Sequence, residues 1–223
     1  TTSSMKRIIL TLPALLLACA AHAQFGIRAG GNVATLSTKT NSQYQRASAS
    51  NRTGYQVGVF YEKKLTDRLS LVPEVQFSRQ RVNLEVEDSG IADAGYYANY
   101  RLRLSYLNVP VLLRATFGKF YLEAGPQFGI QLAAHETGDE SIGTIAGSYE
   151  SSFDRAATDH YRRVDLGLSV GAGVKLPAGF GFGVRAHTGL LSLTPAFPQR
   201  PGYYGNLKNQ VVQASMSYQL KPR

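Results

Sequence analysis

Arg114 and Glu123 lie nine residues apart in the apolar stretch SYLNVPVLLRATFGKFYLEAGPQFGIQLAA, residues 105–134. One base and one acid in such surroundings can work as a general acid/base couple or as a structural ion pair. Structural networks also perturb charged groups, and no third group defines a reaction here, so the ion pair is the stronger reading. Asp165, Ser169 and His187 are the residue types of a nucleophilic triad, which requires all three to be placed together; spacing alone does not place them. His135-Glu136, Asp139-Glu140, Asp154 and Asp159-His160 gather carboxylates of the kind hard cations favour. Their spacing matches no EF-hand or zinc pattern, so they read as solvated loop charge. The glycines of Gly167–Gly173 open no helix, which removes a phosphate-binding reading. No catalytic residue, metal or cofactor is implied.

The elements that carry these residues alternate with period two. Phe25, Ile27, Ala29 and Val33 alternate with Gly26, Arg28, Gly30 and Asn32. The same pattern runs through 55–62, 69–78, 107–117, 120–132, 164–174, 180–187 and 212–220, making eight candidate strands. At roughly ten residues, most can cross a bilayer obliquely. Short connections at 64–68, Gly118-Lys119 and Pro177-Ala178-Gly179 alternate with long polar ones near 37–52, 87–99, 136–160 and 194–209. Tight turns on one side and long loops on the other are the habit of an up-and-down membrane barrel.

If Gly118-Lys119 is a two-residue turn, Phe117 faces Phe120 and Arg114 faces Glu123. Directly opposed opposite charges then support the pairing by about 0.2–1 kcal/mol. The same strand face carries Arg28, Glu62, Glu74, Asp165, Lys175 and Arg185, and many glycines. A narrow eight-stranded barrel is just wide enough to be filled by side chains, and unpaired charges there are costly. Arg28, Glu62, Glu74, Arg114, Glu123, Asp165 and Arg185 are therefore expected to form one interior charge network, with the apolar face turned to lipid. Pro73, Pro110 and Pro126 each remove a ladder donor, which predicts bulges near them. The apolar parity changes between Leu104/Tyr106 and Leu107/Val109, which predicts another bulge there.

Composition sets the compartment. Residues 1–23 read as a signal peptide: Met5-Lys6-Arg7, the apolar run IILTLPALLLACA, and Ala21-His22-Ala23 as the cleavage site. Residues 24–223 then form one barrel domain. The one cysteine, Cys19, lies inside the signal, which excludes disulfides and thiol chemistry from the mature chain; a rival reading makes Cys19 a lipid-attachment site. The net charge of +9 falls to +7 when Lys6 and Arg7 leave with residues 1–23, which hold no acid. A basic chain can bind nucleic acid, but these bases are scattered through strands of an exported protein, so no nucleic-acid partner is expected. Outer-membrane lipid is the expected surrounding. A protein partner is expected at the outer loops, with Tyr203 and Tyr204 of PQRPGYYG (198–205) as the candidate contact.

The strand LNVPVLLR, its short turn and FYLEAGPQFG resemble the Bacteroidota "porin family" (PorT-like) outer-membrane β-barrel domain. FGIRAGGN and DLGLSVGAGV, residues 165–174, fit the same pattern, and the resemblance covers about residues 24–221. It implies an eight-stranded outer-membrane barrel and a link to protein secretion. One departure is the end of the chain, where Tyr218 is followed by QLKPR rather than closing on an aromatic residue.

These observations predict an all-β, eight-stranded antiparallel up-and-down transmembrane β-barrel in the outer membrane. It is expected to be non-enzymatic, with a plugged lumen, structural or partner-binding through its extracellular loops. The alternatives are a small-solute porin, an outer-membrane hydrolase, and a soluble eight-stranded ligand-binding barrel with the apolar face inward.

Overall fold

The computed structural model describes residues 24–39, 45–91, 94–144, 146–193 and 206–220. The signal segment and Tyr203 and Tyr204 lie outside the described residues. Nine strands follow in order: β1 (Gln24–Lys39), β2 (Gln45–Lys64), β3 (Leu69–Ile91), β4 (Ala94–Phe117), β5 (Phe120–Thr144), β6 (Gly147–Ala156), β7 (Val164–Lys175), β8 (Phe180–Ser192) and β9 (Asn206–Gln219). All pairings are antiparallel. β1 pairs with both β2 and β9, and β4 with β5, so eight strands close in the ring β1-β2-β3-β4-β5-β7-β8-β9. The ninth, β6, lies outside the ring and pairs with the outer half of β5, from His135↔Ala156 to Thr144↔Gly147.

The turn at Gly118-Lys119 has the expected two residues, and Gly118 takes φ 62°. A glycine with positive φ at the first central position matches the twist of the flanking strands. It sets the register Phe117↔Phe120, Thr116↔Tyr121, Ala115↔Leu122 and Arg114↔Glu123. At 65–68 the Thr66 hydroxyl accepts from the Leu69 amide (3.1 Å). The third short turn, Pro177–Gly179, holds Ala178 at φ 60°. These three turns mark the periplasmic end.

In three of the long polar connections, 37–52, 87–99 and 136–160, the described residues are mostly strand. β3 and β4 continue to Ile91↔Ala94, and residues 136–156 belong to the β5–β6 hairpin. The wall thus rises well above the apolar belt. On β4 that belt runs outward from Phe117 to Leu107, about 25 Å of height for tilted strands. Val59, Leu122, Val170 and Val184 lie on it, each more than half exposed. Above it the outward residues of β3 and β4 become Arg79, Arg81, Asn83, Arg103 and Arg101, while the inward ones become Val82, Leu84, Leu104 and Leu102.

Two expectations need correction. The parity change near Leu104–Leu107 is no bulge in β4, whose even residues stay buried from Leu102 to Arg114. The apolar residues change sides because the medium outside changes from lipid to water. The irregularity nearby is on β5, where Ser105↔Ala133 gives way to Tyr106↔Gln131. Nor do the prolines sit at bulges. Pro73 pairs with Val111, Pro110 with Gln127 and Pro126 with Leu168, and the β3–β4 and β4–β5 ladders resume in unchanged register at Gln76↔Asn108 and Leu113↔Ala124. The missing donors interrupt the ladder without shifting it.

Candidate functional site

The lower lumen is crossed by ion pairs. The register of the β4–β5 hairpin sets Arg114 against Glu123; its Nε and Nη2 donate to Glu123 Oε2 at 3.1 and 2.7 Å, and its Nη1 reaches Glu62 Oε2 on β2 at 2.9 Å. From β8, Arg185 donates to Glu123 Oε1 (2.8 and 3.1 Å) and to Glu74 Oε2 on β3 (3.1 Å). Arg28 on β1 stands 3.2 Å from Glu74 Oε2 and 3.6 Å from Glu123 Oε1. Lys175 at the periplasmic mouth donates to Glu62 Oε1 (2.6 Å). Three carboxylates therefore sit among three buried guanidiniums and one half-buried ammonium. Glu74 and Arg185 belong to strands on opposite sides of the ring, so their contact spans the lumen.

Aromatic rings complete this layer. Arg114 lies over Tyr121 at 4.3 Å from the ring centroid, and Arg28 over Phe60 at 5.4 Å. Such contacts favour a cation in low dielectric. The Tyr121 hydroxyl fills space left by Gly173 and Gly183: a Cβ on either would meet it at 2.3 or 2.5 Å.

Asp165 stands apart from this network, contrary to expectation. It shares the strand face of Glu123 but not its height: Glu123 pairs across to Gly171, whereas Asp165 pairs to Gly129. Its Oδ2 lies 3.4 Å from His187 Nε2 and accepts from Asn209 Nδ2 (3.2 Å). His187 Nδ1 is in turn 3.2 Å from Ser169 Oγ. Ser, His and Asp are therefore joined in sequence, which spacing alone could not establish. The Ser169 hydroxyl, however, donates to Gln127 Oε1 (3.0 Å), and all three side chains are buried among packed neighbours. A nucleophile needs a free proton path to its base and room for a substrate; this serine has a competing acceptor and no access.

Gln76, two residues beyond Glu74 on β3, and Gln213 on β9, beside Arg185 of β8, exchange hydrogen bonds across the lumen (3.3 and 3.5 Å). Toward the outer end Leu84, Leu102, Leu104, Tyr106, Leu193, Leu207 and Val211 pack in one apolar cluster, with Gln80 buried on β3 and Gln131 and Glu136 on β5.

A family model for the outer membrane protein beta-barrel domain matches residues 17–194. The chain belongs to this family. The protein is accordingly an outer-membrane β-barrel, and the soluble ligand-carrier alternative is excluded. No curated protein matches this family member. Among solved structures, neisserial surface protein A shares 10% identity over 88% of this chain and 97% of that one, with TM-score 0.48. Ail, the attachment invasion locus protein of Yersinia pestis, shares 8% over 89% and 99%, with TM-score 0.43. The outer membrane protein OprG from Pseudomonas aeruginosa shares 12% over 90% and 97%, with TM-score 0.42.

In this barrel-domain protein the remaining acidic positions separate rather than cluster. Glu136 is buried, held by Arg155 Nε (2.9 Å) and the Tyr161 hydroxyl (2.8 Å). Sequence reasoning treated it as loop charge; its inward parity with Ala134 was the available signal. Asp139 accepts from Ser152 (2.7 Å). Asp159 pairs with Arg163 (2.6 Å). Asp154 is contacted by His135 and by Thr137, and the His135 hydrogen bond holds its carboxyl below the ordinary value. Among the described residues no three metal-ligating side chains converge.

Proposed function

We propose that the protein is a closed, non-enzymatic outer-membrane barrel that presents its raised hairpins to a macromolecular partner. The observation that supports this reading is the set of side-chain contacts that span the interior. A salt-bridged layer and a glutamine pair cross it and an apolar cluster lies toward the outer end, so a solute has no path and the Ser169–His187–Asp165 chain has no substrate. The outside of the raised wall supplies the contact surface. β6 pairs with β5 alone among the described residues, so its other edge presents backbone donors and acceptors of the kind that accept an added strand. Tyr149, Ile142 and Tyr97 are exposed on the neighbouring wall, and exposed tyrosine suits interfaces. Tyr203 and Tyr204 extend the same proposal. The PorT-like resemblance of residues 105–134 makes a component of protein secretion the first partner to seek.

Two measurements test the reading. In planar bilayers the refolded barrel is expected to show no steady conductance; a large, constant single-channel current overturns the plugged lumen. A photocrosslinking side chain at Tyr149 is expected to yield a discrete protein adduct in intact cells, with none from lipid-facing Leu122. Absence of any adduct at Tyr149 overturns the partner-binding half.

A further inference from the structure

Directly above the apolar belt, on one side of the barrel, the outward face is arginine. In register, Arg52 on β2 opposes Arg81 on β3, and Arg81 opposes Arg103 on β4. Arg79 lies one row below, between Tyr55 and Ser105, and Arg101 one row above, between Asn83 and Thr137. Directly opposed side chains on neighbouring strands have Cβ atoms about 4.5–5.5 Å apart, and like charges so placed repel. Three in a row on adjacent strands is thus a destabilising arrangement unless something negative lies across it.

Among the described residues, no ion pair supplies that charge. No salt bridge among the described residues includes any of the five arginines. Asp154, whose field reaches Arg103, is already engaged by His135 and Thr137. Glu85 accepts the Tyr97 hydroxyl. The Nε atoms of Arg79 and Arg103 are shielded from solvent and bond to no protein group. Arg103 spends only its Nη2 on a neighbour, the Thr137 hydroxyl (3.3 Å).

Height identifies the ligand. Phe77 and Leu107 end the lipid-facing belt, and Arg79 and Arg103 follow two and four residues beyond them on the same strand faces. This is the level of headgroups in the outer leaflet. Elsewhere on the rim, Arg163 is neutralised by Asp159, whereas five arginines without a salt-bridge partner among the described residues are gathered on the β2–β4 side. We propose that the Arg52–Arg81–Arg103 row, flanked by Arg79 and Arg101, is a binding site for the phosphate groups of an anionic outer-leaflet lipid. The acyl chains lie along the belt below, over Val57, Phe77 and Leu107. Guanidinium groups suit this task because their planar fork grips phosphate oxygens in pairs.

The test is a titration of the full barrel in neutral detergent with a bis-phosphorylated glycolipid, its dephosphorylated analogue and inorganic phosphate, read by native mass spectrometry. The wild type is expected to retain the phosphorylated lipid and not the analogue. The triple variant Arg52→Gln/Arg81→Gln/Arg103→Gln is expected to bind about a hundredfold more weakly, about fivefold for each cation removed near an anionic surface. Thermal unfolding supplies a second readout with a change of sign. Without lipid the triple variant unfolds at the same or a higher temperature than wild type, because repulsion is relieved; with the phosphorylated lipid the wild type is the more stable. Equal binding by wild type and variant, equal binding of the dephosphorylated analogue, or full displacement by inorganic phosphate at equimolar concentration overturns the proposal. If the triple variant does not fold, Arg81→Gln alone decides, with a fivefold loss expected and no loss overturning it.

Discussion

At the height of Glu123 the wall places Leu122 against lipid and carboxylates against guanidiniums inside. At the height of Leu104 the same wall places Arg103 outside and leucines inside. Both sections use one backbone pattern, an unbroken period-two alternation along β3 and β4, and their chemistry is inverted. The lower section gains little from apolar contact with lipid, which is itself apolar, so its interior is held by paired charges. The upper section stands in water and is held by the hydrophobic effect, as a soluble barrel would be. The difference teaches that alternation fixes which residues share a side, while the surrounding medium decides which side is inside in character.

The comparison is broken most strongly in the lower section. Replacing Glu123 with Gln leaves Arg114 and Arg185 short of a counter-charge in a buried setting, and the expected loss is about 3–5 kcal/mol. Urea unfolding followed by the unboiled-versus-boiled gel shift measures it; a loss under about 1 kcal/mol means the layer is wetter than its contacts imply. In the upper section Leu104→Ala removes no charge and leaves a cavity, with an expected loss of about 2–5 kcal/mol. The sharper distinction is in salt and heat response. Loss at Leu104 should change little with ionic strength, as expected for an apolar contact.

The smallest effect belongs to the β5–β6 hairpin. Hydrogen bonding from His135 depresses the Asp154 carboxyl, so the contact stabilises the folded hairpin above the ordinary aspartate value and is lost as pH falls through the lower folded value. Asp154 is exposed and His135 partly so, which keeps the contact weak and its loss local to the hairpin. Amide exchange of β6 should quicken at acid pH while the ring strands are unaffected. Equal quickening in His135→Gln would show that another group is responsible.

What was legible in the sequence follows from the same contrast. The Arg114–Glu123 contact could be read because a two-residue turn leaves no freedom in the register. Strand count in the ring and the lipid-facing side followed from alternation and glycine bias. Asp165 was assigned to the wrong group because parity gives a face, not a height, and the β5–β7 register depends on everything between Thr144 and Val164. The upper section was hidden for a different reason. Apolar parity was equated with the lipid side throughout, so the exchange of sides at Leu104–Leu107 looked like a bulge. Residues 87–99 and 136–160 looked like loops because their outward face is polar, which a strand in water shares with a loop. Ser169 and His187 came together only through the β7–β8 register, Ser169↔His187.

The salt-bridged layer also bears on how the protein is made. Glu74 on the third strand finds its partners on the first and on the penultimate one, Arg28 and Arg185. During insertion Glu74 thus has Arg28 beside it from the first strands, but its contact across the ring waits for β8. The contact that ties opposite sides of the ring together therefore forms only at closure, so the last strands to enter lock the layer that earlier strands leave open on one side.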